Sequence, residues 1–244
     1  MLDVSLLTDL IENPNYSEVV SSLIFCLPDP YLSVFNHILS SRLGSSYDKV
    51  NLGAQNVSSC NPLNGSFTGE TTAAMLSDIG CKYVIVGHSE RRVFFKECSG
   101  AIIKKLSEAL KYNLRPILCV GDTKDQRDAG SHVDMVLQQI NDVSDVLSLH
   151  KDIIIAYEPV WAIGTGFSPS VSDVSSLVKT IKNHCFSNFG RYFNVLYGGS
   201  VNSVNINSFL SSDSLDGVLV GGSSFPLKNF FDMCCFLKLE KVNV

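Results

Sequence analysis

From end to end the chain alternates short, unbroken apolar runs with longer stretches of helical period. The apolar runs fall at 19–25, 50–55, 83–88, 116–121, 152–158, 193–199 and 217–221, and helical stretches at 71–80, 101–112, 133–147, 171–185 and 226–239. A run such as Ile117-Leu118-Cys119-Val120 is apolar on both of its faces, so both faces need cover. A parallel sheet with crossover helices provides it. Polar and glycine residues gather just after the runs, at His88, Glu158, Gly198-Gly199-Ser200 and Gly221-Gly222. In a (β/α)8 barrel those strand ends share one face, where active sites form. An open doubly wound sheet would also bind at strand ends, but no glycine-rich fingerprint follows the first run, so the barrel is expected. No linker-like tract or shift of composition divides residues 1–244, and a single domain is expected. Only seven strands can be counted where a closed barrel needs eight. The chain opens on a helix pattern (Leu6, Leu7, Leu10, Ile11), which predicts two long parallel edges left unpaired.

An apolar content of 45 % supports a sizeable core. The formal charge of −5 argues against a general nucleic-acid surface, so an anion site has to be built locally from backbone N–H groups and a few side chains. The eight cysteines show no CxxC pair and no metal-ligand spacing, and read as reduced thiols of a cytoplasmic protein. The start lacks the pattern of a secretory signal, and no apolar stretch has the length to span a bilayer.

The chemistry concentrates in three places. Residues 156–166 read A-Y-E-P-V-W-A-I-G-T-G. They put a carboxylate, Glu158, at the end of a strand, ahead of a stiff Pro159-Val160-Trp161 and then Ala162-Ile163 and a small-residue tip, Gly164-Thr165-Gly166. That order suits a general base on a rigid strand beneath a lid formed by residues 159–166. Gly87-His88-Ser89-Glu90-Arg91-Arg92 puts an imidazole where a helix begins at Ser89 or Glu90. The positive helix end disfavours imidazolium, so His88 is expected neutral and able to donate to a substrate oxygen. Glu90, Arg91 and Arg92 are expected to form ion pairs. The glycine pairs of Tyr197-Gly198-Gly199-Ser200-Val201 and Val220-Gly221-Gly222-Ser223 let the backbone approach an anion, with N–H donors from a following helix start. A base, a neutral imidazole and a phosphate cradle without metal ligands suggest proton abstraction next to a carbonyl.

With these segments in place the sequence resembles the triosephosphate isomerases. The matching segments are 156–166, G-H-S-E-R-R, A-Q-N-V at 54–57, G-x-F-T-G-E at 65–70, Y-G-G-S-V and L-V-G-G at 219–222, and the resemblance covers essentially the whole chain. It implies a (β/α)8 TIM barrel that interconverts dihydroxyacetone phosphate and glyceraldehyde 3-phosphate in glycolysis and gluconeogenesis. No cofactor, metal, nucleic acid or membrane is implied, and the partner is a second copy of the chain. Glu158 would move the proton, His88 would polarise the carbonyl, and Glu90 would lie near the catalytic groups. Gly164, Ser200, Gly221 and Gly222 would hold the phosphate. Thr68 would buttress the neighbouring site in a homodimer, and Gln55, Glu70 and Arg91 would belong to its interface.

Two features depart from the family. Its members begin with a strand ending in N-W-K-M, whose Asn and Lys point into the site, and the 244 residues contain no such segment. The uncounted eighth strand is therefore the family's first. The family lid also ends in a hinge residue whose backbone N–H bonds the tyrosine of Y-G-G-S. Here that position is Pro169, which has no N–H, so altered lid closure is expected. Without the lysine, a barrel relative that binds or assembles without turnover stands as the alternative to an isomerase. A strand reading G-N-W-K upstream of Met1 would decide for the enzyme.

Overall fold

The computed structural model describes residues 22–43, 50–60, 67–163, 165, 167–225 and 227–239. Seven parallel strands run in chain order across one sheet: β1 Ile24–Leu27, β2 Asn51–Ala54, β3 Tyr83–Val86, β4 Arg115–Val120, β5 Ile154–Tyr157, β6 Asn194–Tyr197 and β7 Gly217–Val218. The connecting helices are α1 Asp29–Leu43, α2 Ala73–Asp78, α3 Ser89–Phe94, α4 Ser99–Lys111, α5 Lys124–Asp128, α6 His132–Asn141, α7 Ser144–Leu149, α8 Val171–Phe189, α9 Ile206–Leu210 and α10 Leu227–Leu239.

The strand runs are apolar throughout because both faces are covered. In β5 all four residues are buried. Val84, Val86, Leu118, Val120, Ile155 and Tyr157 pack outward with helix residues such as Ile102, Leu106, Val136, Ile140 and Leu177. Ile85, Ile117, Cys119, Ile154 and Ala156 point the other way, into a second cluster with Ile24, Cys26, Tyr83, Leu196 and Leu219. That inner cluster needs a curled sheet. Cys26 on β1 lies close enough to Cys119 on β4 to bear on its thiol, whereas in a flat sheet those strands would be about 14 Å apart. The architecture is a (β/α) barrel, and it puts the C-terminal strand ends on one face.

Several expectations need correction in detail. The first described strand is 24–27 rather than 19–25, of which 19–21, like the helix pattern at Leu6–Ile11 positions, lie outside the described residues. The stretch 133–147 is two helices, α6 and α7. It breaks at Asp142 and Val143, where the Asp142 carboxylate accepts from Ser99 Oγ (2.7 Å) and Gln138 Nε2 (2.8 Å). The terminal strands are short, four residues in β1 and two in β7, so the unpaired edges are not long. Among the described residues β1 pairs only with β2, and β7 only with β6.

Candidate active site

Glu158 follows β5, held there by its N–H bond to Val120 O (2.7 Å) on β4. Gly121 makes this approach possible, since a Cβ there would lie 1.8 Å from Glu158 O. The carboxylate is 2 % exposed. Its Oε2 accepts from the Ser89 N–H (2.9 Å) at the start of α3, and its Oε1 lies 3.0 Å from His88 Nε2. The Cys119 thiol also hydrogen-bonds it. Burial raises the carboxyl above its ordinary range, against the lowering exerted by His88, Ser89 and Cys119. The Cys119 thiol is itself pushed well upward by burial and by Glu158, so it stays protonated and acts as a donor.

His88 is the N-cap of α3, and its Nδ1 accepts the Glu90 N–H (3.3 Å). An Nδ1 engaged as an acceptor leaves Nε2 to carry the ring proton, and Nε2 faces Glu158. Glu90 thus serves through its backbone. Its side chain is 65 % exposed, with Oε2 3.8 Å from Nδ1. Arg92, expected to form an ion pair, instead donates to two carbonyls, Gly87 O (2.7 Å) and Cys119 O (2.8 Å), stitching the His88 turn to β4. Arg91 does pair, with Glu97 Oε1 (2.5 Å), which also receives Lys105 Nζ (2.5 Å).

The segment expected to form a lid begins on Pro159 and a 3-10 turn, Val160–Ala162. It is caught by Asp122, a fully buried carboxylate after β4. Asp122 Oδ2 accepts from Trp161 Nε1 (3.1 Å), Oδ1 accepts from Tyr157 Oη (2.7 Å), and its carbonyl accepts from Val160 N–H (2.9 Å). Arg127 lies over the Trp161 ring at 5.1 Å. Thr165 Oγ1 turns back toward the Trp161 and Ala162 carbonyls, and Ile163 is half-buried. Gly164 and Gly166 lie outside the described residues.

The glycine pairs divide into two kinds. Gly198 and Gly199 are fixed by the protein itself: a Cβ would lie 3.1 Å from Glu158 Cγ at the first and 2.1 Å from Tyr197 Oη at the second. Gly221 and Gly222 face open space, with nothing within 4 Å of a Cβ. Packing does not demand glycine there, whereas a ligand approaching the backbone would. Gly222 opens a 3-10 turn, Gly222–Ser224. Ser200, by contrast, is not followed directly by a helix. Asn202 and Asn205 form a turn first, in which Asn205 Nδ2 holds Ser200 O (2.8 Å), and α9 starts only at Ile206.

Gln55, Thr68 and Glu70 are exposed, and Gln55 Nε2 donates to Cys26 O (3.2 Å). Lys105 links the two segments that carry the expected interface residues, bonding both Asn56 Oδ1 (2.6 Å) and Glu97. Sequence reasoning did not find Ser89, Cys119 or Asp122. Asp122 carried a usable signal, because it follows a strand and a glycine on the same barrel face as Glu158.

A buried carboxylate against an Nε2–H imidazole, under a tethered tryptophan, calls for comparison with known proteins. A model of the triosephosphate isomerase family matches residues 4–237. The chain belongs to that family. It is 40 % identical over 222 residues to a triosephosphate isomerase of Mesomycoplasma hyopneumoniae (strain 7448), covering 91 % of this chain and 87 % of that protein. It is 37 % identical to one from Vesicomyosocius okutanii (89 % and 86 % covered) and 39 % to one from Nostoc sp. (91 % and 85 %). Membership makes the chain an isomerase on a TIM barrel. Among the described residues no helix is long and apolar enough to cross a membrane.

Proposed function

We propose that the chain interconverts dihydroxyacetone phosphate and glyceraldehyde 3-phosphate with Glu158 as the base and His88 as the electrophile. The observation that carries this reading is the single bond between His88 Nε2 and Glu158 Oε1. One ring proton cannot serve a carboxylate and a substrate oxygen together. A substrate carbonyl that takes the Nε2 proton therefore displaces Glu158, which leaves Ser89 and turns toward the carbon acid. Burial makes the displaced carboxylate a stronger base than a solvated one. Abstraction breaks one C–H bond and leaves an enediolate, whose oxygen His88 polarises. Glu158 then returns the proton to the neighbouring carbon.

Ser200, Gly221 and Gly222, together with Gly164, form the phosphate cradle in this reading, and Glu90 supports His88 through its N–H. The lid residues Pro159, Val160, Trp161, Ala162, Ile163, Gly164, Thr165 and Gly166 cover the intermediate. A homodimer in the cytoplasm completes the proposal. Val93, Phe94 and Phe95 beside Arg91 are exposed (Phe94 73 %), as is Phe67 beside Thr68, and a second copy would cover them. Sedimentation should therefore give twice the 26.7 kDa chain mass. The catalytic reading is tested by the isomerisation rate of Glu158→Gln and His88→Gln. Each should lose at least about 10²-fold relative to the parent chain, and a Glu158→Gln variant with parental rate would remove Glu158 as the base.

A further inference from the structure

The two ends of the lid are held in different ways. The first is caught by the Asp122 side chain and carbonyl, which take Trp161 Nε1 and the Val160 N–H. The second passes through Ser168 and the buried Pro169 into α8, whose N-cap Ser170 accepts from the Asp173 N–H (3.1 Å). Proline leaves the backbone of this hinge without a donor at residue 169. Among the described residues the bond that crosses from this end of the lid to the barrel joins Ser168 Oγ and Tyr197 Oη at 3.4 Å.

Tyr197 makes a firm post for such a bond. Its ring is fully buried at the end of β6 and stacks on Phe209, with centroids 4.2 Å apart. Its oxygen is pressed against Gly199 and takes a backbone bond from Ser200. Ser168 Oγ donates to Pro169 O (3.3 Å). With the Ser168 proton so used and the Ser200 N–H donating to Tyr197, the Tyr197 proton is left for Ser168 Oγ. One chain of hydrogen bonds then runs from the Gly199-Ser200 loop through Tyr197 to the hinge.

We propose that Ser168 is the positioning residue of the lid's C-terminal hinge, its hydroxyl oxygen accepting from Tyr197 and so making the hinge-to-barrel bond for which Pro169 has no backbone N–H. This rests on reading residues 159–166 as the cover of the site and Ser200 as a phosphate contact. Phosphate drawn onto the Ser200 loop and the hinge of the lid then share one side chain.

Amide hydrogen exchange of Ile163, Thr165 and Phe167 in the ligand-free full chain tests the hinge. Ser168→Ala should speed exchange about three- to tenfold, the size expected of one neutral hydrogen bond. Ser168→Thr, which keeps the hydroxyl, should restore the parent rate. In a Pro169→Ala background, which restores an N–H, the Ser168→Ala effect should shrink to less than about twofold. Parent-like exchange in Ser168→Ala would overturn the proposal, and so would an equal effect in both backgrounds. A parallel titration with inorganic phosphate, followed by the fluorescence of Trp161, the only tryptophan, tests the site itself. Absence of a response in the parent chain would count against the phosphate reading, while the exchange result still decides the hinge.

Discussion

Glu158 stands between two demands at the scale of the single residue. Catalysis asks for a desolvated carboxylate, and the fold tolerates one only because Ser89, His88 and Cys119 donate to it. The raised folded-state ionisation fixes the sign of its effect on stability. The folded protein holds this proton more tightly than the unfolded chain. The ionised carboxylate therefore costs stability above the folded-state value, and the cost fades below the unfolded carboxylate range near ~4.3. Glu158→Gln should melt about 2–6 °C above the parent at pH 7 to 8, with the gap closing as pH falls toward ~4. A gap that widened on acidification would contradict the burial argument. That Glu158 and His88 share one end of the sheet was legible in the sequence because each follows an apolar strand. Ser89 and Cys119 were not, because a backbone N–H has no residue signature and a thiol within an apolar run looks like core.

The start of the proposed lid is an element whose position is set from outside it. Three donors, Trp161 Nε1, Tyr157 Oη and the Val160 N–H, converge on Asp122. Removing that carboxylate leaves a buried tyrosine hydroxyl unpaired, at about 1–3 kcal/mol, and frees the tryptophan. Asp122→Ala should lower the melting temperature and shift Trp161 emission toward that of an exposed indole, whereas unchanged emission would show that Asp122 does not hold the lid. The proline, tryptophan and glycines of 159–166 suggest a lid in the sequence, but the residue that holds Trp161 carries no such local mark. Asp122 is far from the lid in sequence and meets it only because β4 and β5 are neighbours in the sheet. The same limit explains the misread helix at 133–147. Its apolar period continues through the break, where Asp142 accepts from Ser99, a residue 43 positions away.

At the scale of the molecule, the sheet is a curled run of seven strands whose terminal edges are unpaired among the described residues. Its inner residues Ile24, Cys26, Tyr83 and Leu196 are only half-buried, although they pack on the inner cluster. A strand between β1 and β7 would cover them and satisfy both edges. Strand alternation revealed the barrel, but pairing between distant strands is something that no local pattern encodes.

In the proposed reaction a proton leaves one carbon on Glu158 and returns to its neighbour through an enediolate held by His88. The direct measurement is isomerisation of dihydroxyacetone phosphate in D2O, with the product examined by NMR. A carboxylate-borne proton exchanges with solvent, so glyceraldehyde 3-phosphate should carry deuterium at carbon 2, and Glu158→Gln should give no such product. Turnover with full retention of hydrogen, or deuterium incorporation that survives Glu158→Gln, would contradict it.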